Sequence, residues 1–372
     1  MRITIAFAHA GGGHRSVALA LQAGFAQRAP AVQVHLVDVL RYTPPPYRFF
    51  DRLYPHLIRG RARAWAALYA LTNGPLRAAW LSRLGAGLVA RTLPRMWAAD
   101  GPPDLLLSVY PILNRDLARL AQRAGVPFAV LITDLGTAHA SWLAHDAAVR
   151  AYLAPSAEVE ALLAQWGVPA RQRVRVGLPV HPRFLEEVSD RAGLRRALGL
   201  DPARPVVLLM AGAEGQGPLE AFVRALAAQR PRAQVVVVAG RNERLRRRLQ
   251  AQTWPIPVRV LGFVHDVHRW MHAADLLLTK AGPSTIAEAL AVGLPMLLVA
   301  HLPGQEARNP DFVVRLGAGV YEPDPARAAA LVARWTRPDD STLARMRAAA
   351  RNTDFRRGTW QVVDWLLAQM QT

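Results

Sequence analysis

Cysteine is absent from the 372-residue chain, which excludes disulfides, thiolate metal sites and a cysteine nucleophile and fits a cytoplasmic protein. Lysine is nearly absent too: Lys280 stands alone, so the 46 basic residues are otherwise arginine. A GC-rich coding sequence explains most of such a bias, and the one surviving lysine gains interest from it. Acids are few, 27 in all, and the formal net charge of +19 directs the chain toward an anionic partner. Long apolar runs are missing. The longest stretch without Asp, Glu, Lys or Arg is Ala289 to Gln305, and it holds two prolines and His301. A spanning helix needs about 20 predominantly apolar residues, so none is expected. The N-terminus enters an apolar strand pattern at Ile3, without the basic, apolar and cleavage regions of a signal peptide.

What is present is the composition of a globular protein, 52% hydrophobic and 20% charged. The length suits two domains of roughly 150 residues each. Strands are expected at Ile3–His9, Val32–Val39, Asp104–Val109 and Phe128–Thr133, with weaker ones at Val149–Ala154 and Val174–Val176. Helical patterns follow Gly13, Pro111 and Pro155. The connector Gly177 to Pro182 is too rich in proline to continue either element. The rhythm restarts with strands at Val206–Ala211, Gln234–Ala239, Arg259–Gly262, Leu276–Thr279 and Met296–Val299. Alternation of strands with helices predicts an α/β fold, two Rossmann-like domains with parallel sheets and right-handed crossovers. The expected division is an N-terminal domain 1–176, a linker 177–184 and a C-terminal domain 185–350. A closing helix at 351–372 is expected to pack back on the first domain.

The most informative stretch runs from Gly262 to Asn309. After a strand, the small residues Gly282, Pro283, Ser284 and Thr285 open a helix, with Lys280 just before them. Such a loop presents free backbone N–H groups and a positive dipole end to an anion. After the next strand come Gln305, Glu306 and Asn309, side chains suited to neutral hydroxyls. A phosphate seat beside a hydroxyl reader points to a nucleotide-sugar; an ordinary βαβ unit with a polar loop is the alternative. Upstream, Gly212, Glu214 and Gly215 follow a buried strand and fit a nucleotide-facing turn. Near the start, His14 follows three glycines and Gly13 opens the helix. Bare backbone there lets a substrate approach. A helix N-terminus lowers an imidazole pKa and favours the neutral form that acts as a base; an incidental capping histidine is the alternative.

These blocks, KAGPSTIAEAL followed by LPGQE, MAGAEG upstream and GGGHR near the start, resemble the monogalactosyldiacylglycerol synthase family. The processive diacylglycerol glucosyltransferases are similar as well, and more distantly the enzyme that adds N-acetylglucosamine to lipid I. The likeness runs from Ile3 to about Val320, and it implies the two-domain GT-B arrangement, with the domains facing across a cleft. It implies an inverting transfer of a hexose from UDP-galactose or UDP-glucose to diacylglycerol, peripheral on the inner face of the cell membrane. In that pattern His14 is the candidate base with Arg15 as its neighbour, and Asp134, His139 and Trp142 match an acceptor-side TD…H…W pattern. Asp134 is then a candidate to orient either His14 or His139. Phe263 and Val264 match the uracil position, Ser284 and Thr285 the diphosphate, Glu288 the ribose, and Gln305 and Glu306 the transferred sugar. The chain has Ala211-Gly212-Ala213 where plant relatives have successive glycines. No Asp-x-Asp occurs, so no metal or other cofactor is expected, and Lys280 and Arg241 would share the leaving-group charge with helix N-termini. His265, His268, His272 and His301 have no metal-ligand spacing.

The segment Arg41 to Arg95 breaks the α/β rhythm, with ten arginines against Asp51 and interleaved aromatics. Arg59, Arg61, Arg63, Phe49, Phe50 and Trp65 suit contact with anionic membrane lipids. Single-stranded nucleic acid, which is not expected as a partner, and plain packing on the first domain are the alternatives. Three other functions stand beside the leading one: transfer to a polyprenyl-linked acceptor, a UDP-N-acetylglucosamine 2-epimerase, and a non-enzymatic arginine-rich binding protein.

Overall fold

The computed structural model describes residues 1–372 except 10, 11, 46, 50–61, 85, 146, 214, 216, 371 and 372. The chain divides into two units. The first comprises Met1–Pro182 with Pro303–Arg308 and Arg357–Thr372; the second comprises Arg183–Leu302 and Asn309–Arg356.

The N-terminal unit is built on six strands: β1 (Arg2–Phe7), β2 (Gln33–Asp38), β3 (Leu105–Ser108), β4 (Phe128–Leu131), β5 (Ala151–Ala154) and β6 (Arg173–Arg175). They pair in the order β2-β1-β3-β4-β5-β6, all parallel. Central strands such as LLLS and FAVL are buried along their whole length because helices cover both faces, so they carry no apolar–polar alternation. The chain leaves β1 toward β2 on one side and later returns to β3 on the other. That reversal opens a crevice at the carboxyl ends of β1 and β3.

The closing helix Gly358–Met370 belongs to this unit and packs on the helix Gly13–Arg28. Gly24 has no room for a side chain there: an added Cβ would lie 2.8 Å from Thr359 Cγ2. The Thr359 hydroxyl donates to the Val180 carbonyl and accepts from the Val180 N–H, at 2.6 and 3.0 Å.

The C-terminal unit repeats the design with β7 (Val206–Met210), β8 (Gln234–Val238), β9 (Val258–Leu261), β10 (Leu276–Lys280), β11 (Met296–Ala300) and β12 (Gly319–Tyr321). Their order is β12-β11-β10-β7-β8-β9, again parallel. The edge strand β12 is absent from the sequence reading: three residues, the first a glycine, are too short for a pattern. Here the reversal falls between β7 and β10. Among the described residues no helix is long and apolar enough to cross a membrane.

Candidate active site

In the N-terminal unit the crevice between β1 and β3 receives His14. Gly12 precedes the helix with φ of +81°, a left-handed angle that a side chain resists, and this turn aims the first helical residues back over the sheet. His14 is 8% exposed, with its ring edge-on to Tyr110 at 5.4 Å and tilted against Trp142 at 6.0 Å. Thr133 Oγ1 lies 3.1 Å from its Nδ1. Burial pushes its pKa down from 6.5 to about 4, opposed by a hydrogen bond to the Val109 carbonyl. The cause is enclosure rather than the helix end that the sequence suggested. A carbonyl only accepts, so in the neutral ring the nitrogen facing Val109 carries the hydrogen and the other keeps a lone pair. Arg15 beside it is exposed.

Among the described residues Asp134 is hydrogen-bonded to Trp142 and Gln305. It is 5% exposed, and its Oδ2 accepts from the Trp142 indole N–H at 2.7 Å. Burial raises its pKa from 3.8 to about 6, while hydrogen bonds from Trp142 and Gln305 act the other way and the charge of Glu306 adds to the rise. Gln305 and Glu306 therefore belong with this acidic centre, on the 303–308 segment that joins the N-terminal unit. His139 is fully engaged as well. Its Nδ1 accepts from the Ser141 N–H at 3.1 Å, so the neutral ring carries its hydrogen on Nε2, which faces Thr72 Oγ1 at 3.2 Å. Burial lowers its pKa to about 4, against a hydrogen bond to the Tyr69 backbone. The ring holds the helix Ala62–Thr72 onto this loop, and Asn73 Oδ1 adds a bond from Ala140 N–H at 2.9 Å.

That helix begins an unusual surface. Together with the helices Pro75–Arg83 and Ala86–Thr92 it leaves Leu71, Leu76, Trp80 and Leu88 at 70, 87, 62 and 54% exposure. Soluble surfaces rarely gather such large apolar side chains. Phe49 and Arg63 are exposed too, but Trp65 is half-buried and packs instead of projecting. Phe50, Arg59 and Arg61 lie outside the described residues. Sequence reasoning weighted arginine and aromatics here and missed the leucines; their recurrence between arginines at helical spacing was the available signal.

In the C-terminal unit the crevice between β7 and β10 is lined by two loops. After β10, the ladder to β11 shifts at Thr279/Lys280, and Gly282 opens the helix Pro283–Val292 without any side-chain cap. The Ser284 hydroxyl is buried and has no hydrogen-bond partner among the described residues. One turn on, Glu288 likewise lacks a hydrogen-bond or ion-pair partner among the described residues, and burial alone lifts its pKa from 4.5 to about 8. Thr285 is half-buried on the same turn. Asn309 is 1% exposed and donates to the Ala281 carbonyl at 2.8 Å, which ties it to the loop after β10.

After β7, Gly212 has φ of +72°, and a Cβ there would come within 3.9 Å of Lys280 Cε. Gly215 is needed for closeness: an added Cβ would lie 1.9 Å from the Ala239 carbonyl oxygen. The Arg241 N–H donates to Ala213 O at 2.8 Å and Asn242 Nδ2 to Gly215 O at 3.1 Å, so the loops after β7 and β8 interlock. Glu214 lies outside the described residues. The Arg241 guanidinium sits 4.5 Å above the ring of Phe263, which is 41% exposed, with Val264 half-buried beside it. Of the other histidines, His268 lies edge-on to Phe184, His301 Nδ1 meets Tyr321 OH at 3.1 Å, and His265 is edge-on to Phe263.

Residues 14–180 match the family model described as monogalactosyldiacylglycerol (MGDG) synthase, and residues 206–352 match the glycosyltransferase family 28 C-terminal domain. The chain is 38% identical over 357 residues to the probable monogalactosyldiacylglycerol synthase 2, chloroplastic, of Oryza sativa subsp. japonica, covering 92% of this chain and 75% of the rice protein. The crystal structure of Acinetobacter baumannii MurG is similar with a TM-score of 0.62 at 17% identity, covering 99% of this chain and 100% of that one. The calicheamicin glycosyltransferase CalG4 gives 0.61 at 19% identity, covering 100% and 98%. Two parallel Rossmann-like sheets with these likenesses constitute the GT-B fold, and the chain belongs to the monogalactosyldiacylglycerol synthase family.

Proposed function

We propose that the protein transfers galactose or glucose from the corresponding UDP-sugar to diacylglycerol, with inversion at the anomeric carbon and without a metal ion. The observation that carries the donor half is the pair of side chains on one helix opening that have no partner among the described residues. A buried Ser284 hydroxyl and a helix N-terminus without a side-chain cap meet the needs of a diphosphate, and Glu288 one turn on suits ribose hydroxyls. Lys280 and Arg241, next to these loops, add positive charge where UDP departs. Phe263 beneath Arg241 offers a flat, exposed ring for the uracil.

On the acceptor side His14 takes the proton from the glycerol hydroxyl as that oxygen attacks the sugar. Its low pKa keeps it neutral and available at physiological pH. Gln305, Glu306 and Asp134 form a hydroxyl-binding cluster for the transferred sugar. The diacylglycerol reading rests on the names of the relatives, which are monogalactosyldiacylglycerol synthases, and on the exposed apolar helices 62–92. These helices are tied through His139 to the Asp134 loop, so a lipid met at their surface arrives beside His14. Peripheral attachment at the inner face of the cell membrane follows from apolar contact supplemented by arginine. The test is incubation with labelled UDP-galactose or UDP-glucose and diacylglycerol vesicles, followed by lipid separation. Label in a glycosyl-diacylglycerol supports the reading, and the productive donor identifies the hexose. Label only in a polyprenyl-linked product, or in an epimerised UDP-sugar, refutes it.

A further inference from the structure

The C-terminal sheet carries a second concavity at the end opposite to the donor loops. It is a cavity of about 950 Å³ bounded by residues just before β7, β8, β9 and β10, among them Pro205, Pro231, Pro257 and Asp275. The nucleotide-facing loops leave the other ends of these same strands, so the two sites are separated by the length of the sheet. The lining holds seven arginines and only two acids.

Both acids are already occupied. Asp340 meets Arg334, outside the cavity, at 3.2 Å. Asp275 faces three guanidiniums at once: Arg195 at 2.6 Å, Arg191 at 2.9 Å and Arg347 at 3.7 Å. Arg191 and Arg195 are further satisfied by carbonyls at the end of the helix Val267–Ala273, where cations belong. Arg347 is not. Its side chain is 22% exposed and its only ion pair among the described residues is the long one to Asp275. Desolvation, then the charge of Arg191, lowers its pKa to about 10. The Arg351 side chain, one turn further along the helix Thr342–Arg351, has no hydrogen-bond or ion-pair partner among the described residues, and the same holds for the guanidiniums of Arg230, Arg232 and Arg337 around the mouth.

Two backbone features fix this crowd in place. Arg230 has φ of +47°, the left-handed region that glycine occupies at a helix end without strain; only His145 shares such an angle among the described non-glycine residues. Gly293 leaves space for the Arg351 stem, since a Cβ there would lie 2.6 Å from Arg351 Cγ. Partly buried like charges repel and lose hydration, and both costs fall when a multivalent anion enters. Planar guanidinium forks match phosphate oxygens two at a time. The apolar walls, including Ile256, Leu343 and Trp335, leave room for a non-phosphate part.

We infer that this cavity is a binding site for a phosphate-bearing anion carrying at least two negative charges, separate from the donor site. A terminal phosphate on a lipid headgroup and a free diphosphate share this chemistry. Calorimetric titration of the full chain, saturated with UDP, uses two probes: inorganic pyrophosphate, and dihexanoyl phosphatidic acid below its micelle concentration. One saturable, salt-sensitive site per chain is expected, and the tighter probe identifies the source. Arg347→Gln with Arg351→Gln should weaken it about tenfold or more, as loss of charged hydrogen bonds does. Arg232→Gln with Arg337→Gln, both exposed and without bearing on folding, should weaken it in the same sense. Titrations showing no saturable binding of either probe in the millimolar range would overturn the inference. So would affinities unchanged in both variant pairs, or binding that appears only when UDP is left out.

Discussion

Replacing Glu288 with glutamine should stabilise the protein, and increasingly so as pH rises. The carboxylate has no partner among the described residues and burial raises its pKa from 4.5 to about 8. For an acid whose folded pKa is raised, the unfolded chain releases its proton first. Stability is therefore unaffected below about pH 4.5, falls between 4.5 and about 8, and is level above that. At about 1.4 kcal/mol per pH unit, a rise of this size sets an upper limit of about 5 kcal/mol. The residue keeps partial surface exposure although its carboxylate is enclosed, so water screens part of this, and about 2 kcal/mol is the expected loss. Glutamine has nearly the same shape and does not titrate. Urea denaturation of both proteins at about pH 5 and about pH 8.5 measures the difference. Glu288→Gln should match the parent at the lower pH and exceed it by about 2 kcal/mol at the higher. A difference that stays constant across this range would refute the enclosure of an unpaired carboxylate. UDP affinity supplies a second arm: Glu288→Ala should weaken it more than Glu288→Gln, which retains hydrogen bonds to ribose.

Three other outcomes are expected. His14→Ala should lower turnover by about 100- to 10,000-fold with UDP affinity retained; near-parental turnover in a folded variant would remove the base assignment. Gly215→Ala should cost about 2–4 kcal/mol in denaturant titration, because its Cβ would collide with the Ala239 carbonyl and its φ is +56°. A loss near zero would show that the loops after β7 and β8 are not interlocked. Leu76→Glu with Trp80→Glu should reduce flotation with anionic vesicles while circular dichroism stays unchanged, since both side chains project into solvent; unaltered flotation would move the membrane contact away from these helices.

Much of this architecture was legible in advance because parallel strands buried on both faces announce themselves as short apolar runs. Eleven strand positions were legible as apolar runs, although β2, β6 and β9 are only partly buried, and the glycine-proline-serine-threonine turn was legible as the opening of a helix. What escaped notice depended on distant partners. Asp134 bonds Trp142 and Gln305, the latter 171 positions further along the numbering, and nothing local to Asp134 encodes that choice. His139 matches an acceptor-side pattern in sequence, and in space its two ring nitrogens meet Ser141 and Thr72, the second 67 positions away. Asn309, grouped with Gln305 and Glu306 by sequence, also donates its amide N–H to the Ala281 carbonyl, a contact no local pattern shows. The arginine cavity gathers from six separate stretches of chain, and in an arginine-rich protein no one stretch stands out.

The central claim is a direct, metal-independent transfer with inversion. Purified protein in EDTA, given carbon-13-labelled UDP-α-hexose and diacylglycerol vesicles, should form a glycosyl-diacylglycerol whose anomeric coupling in nuclear magnetic resonance is that of a β-linkage. An α-linked product, or activity that EDTA abolishes and a divalent cation restores, would contradict it.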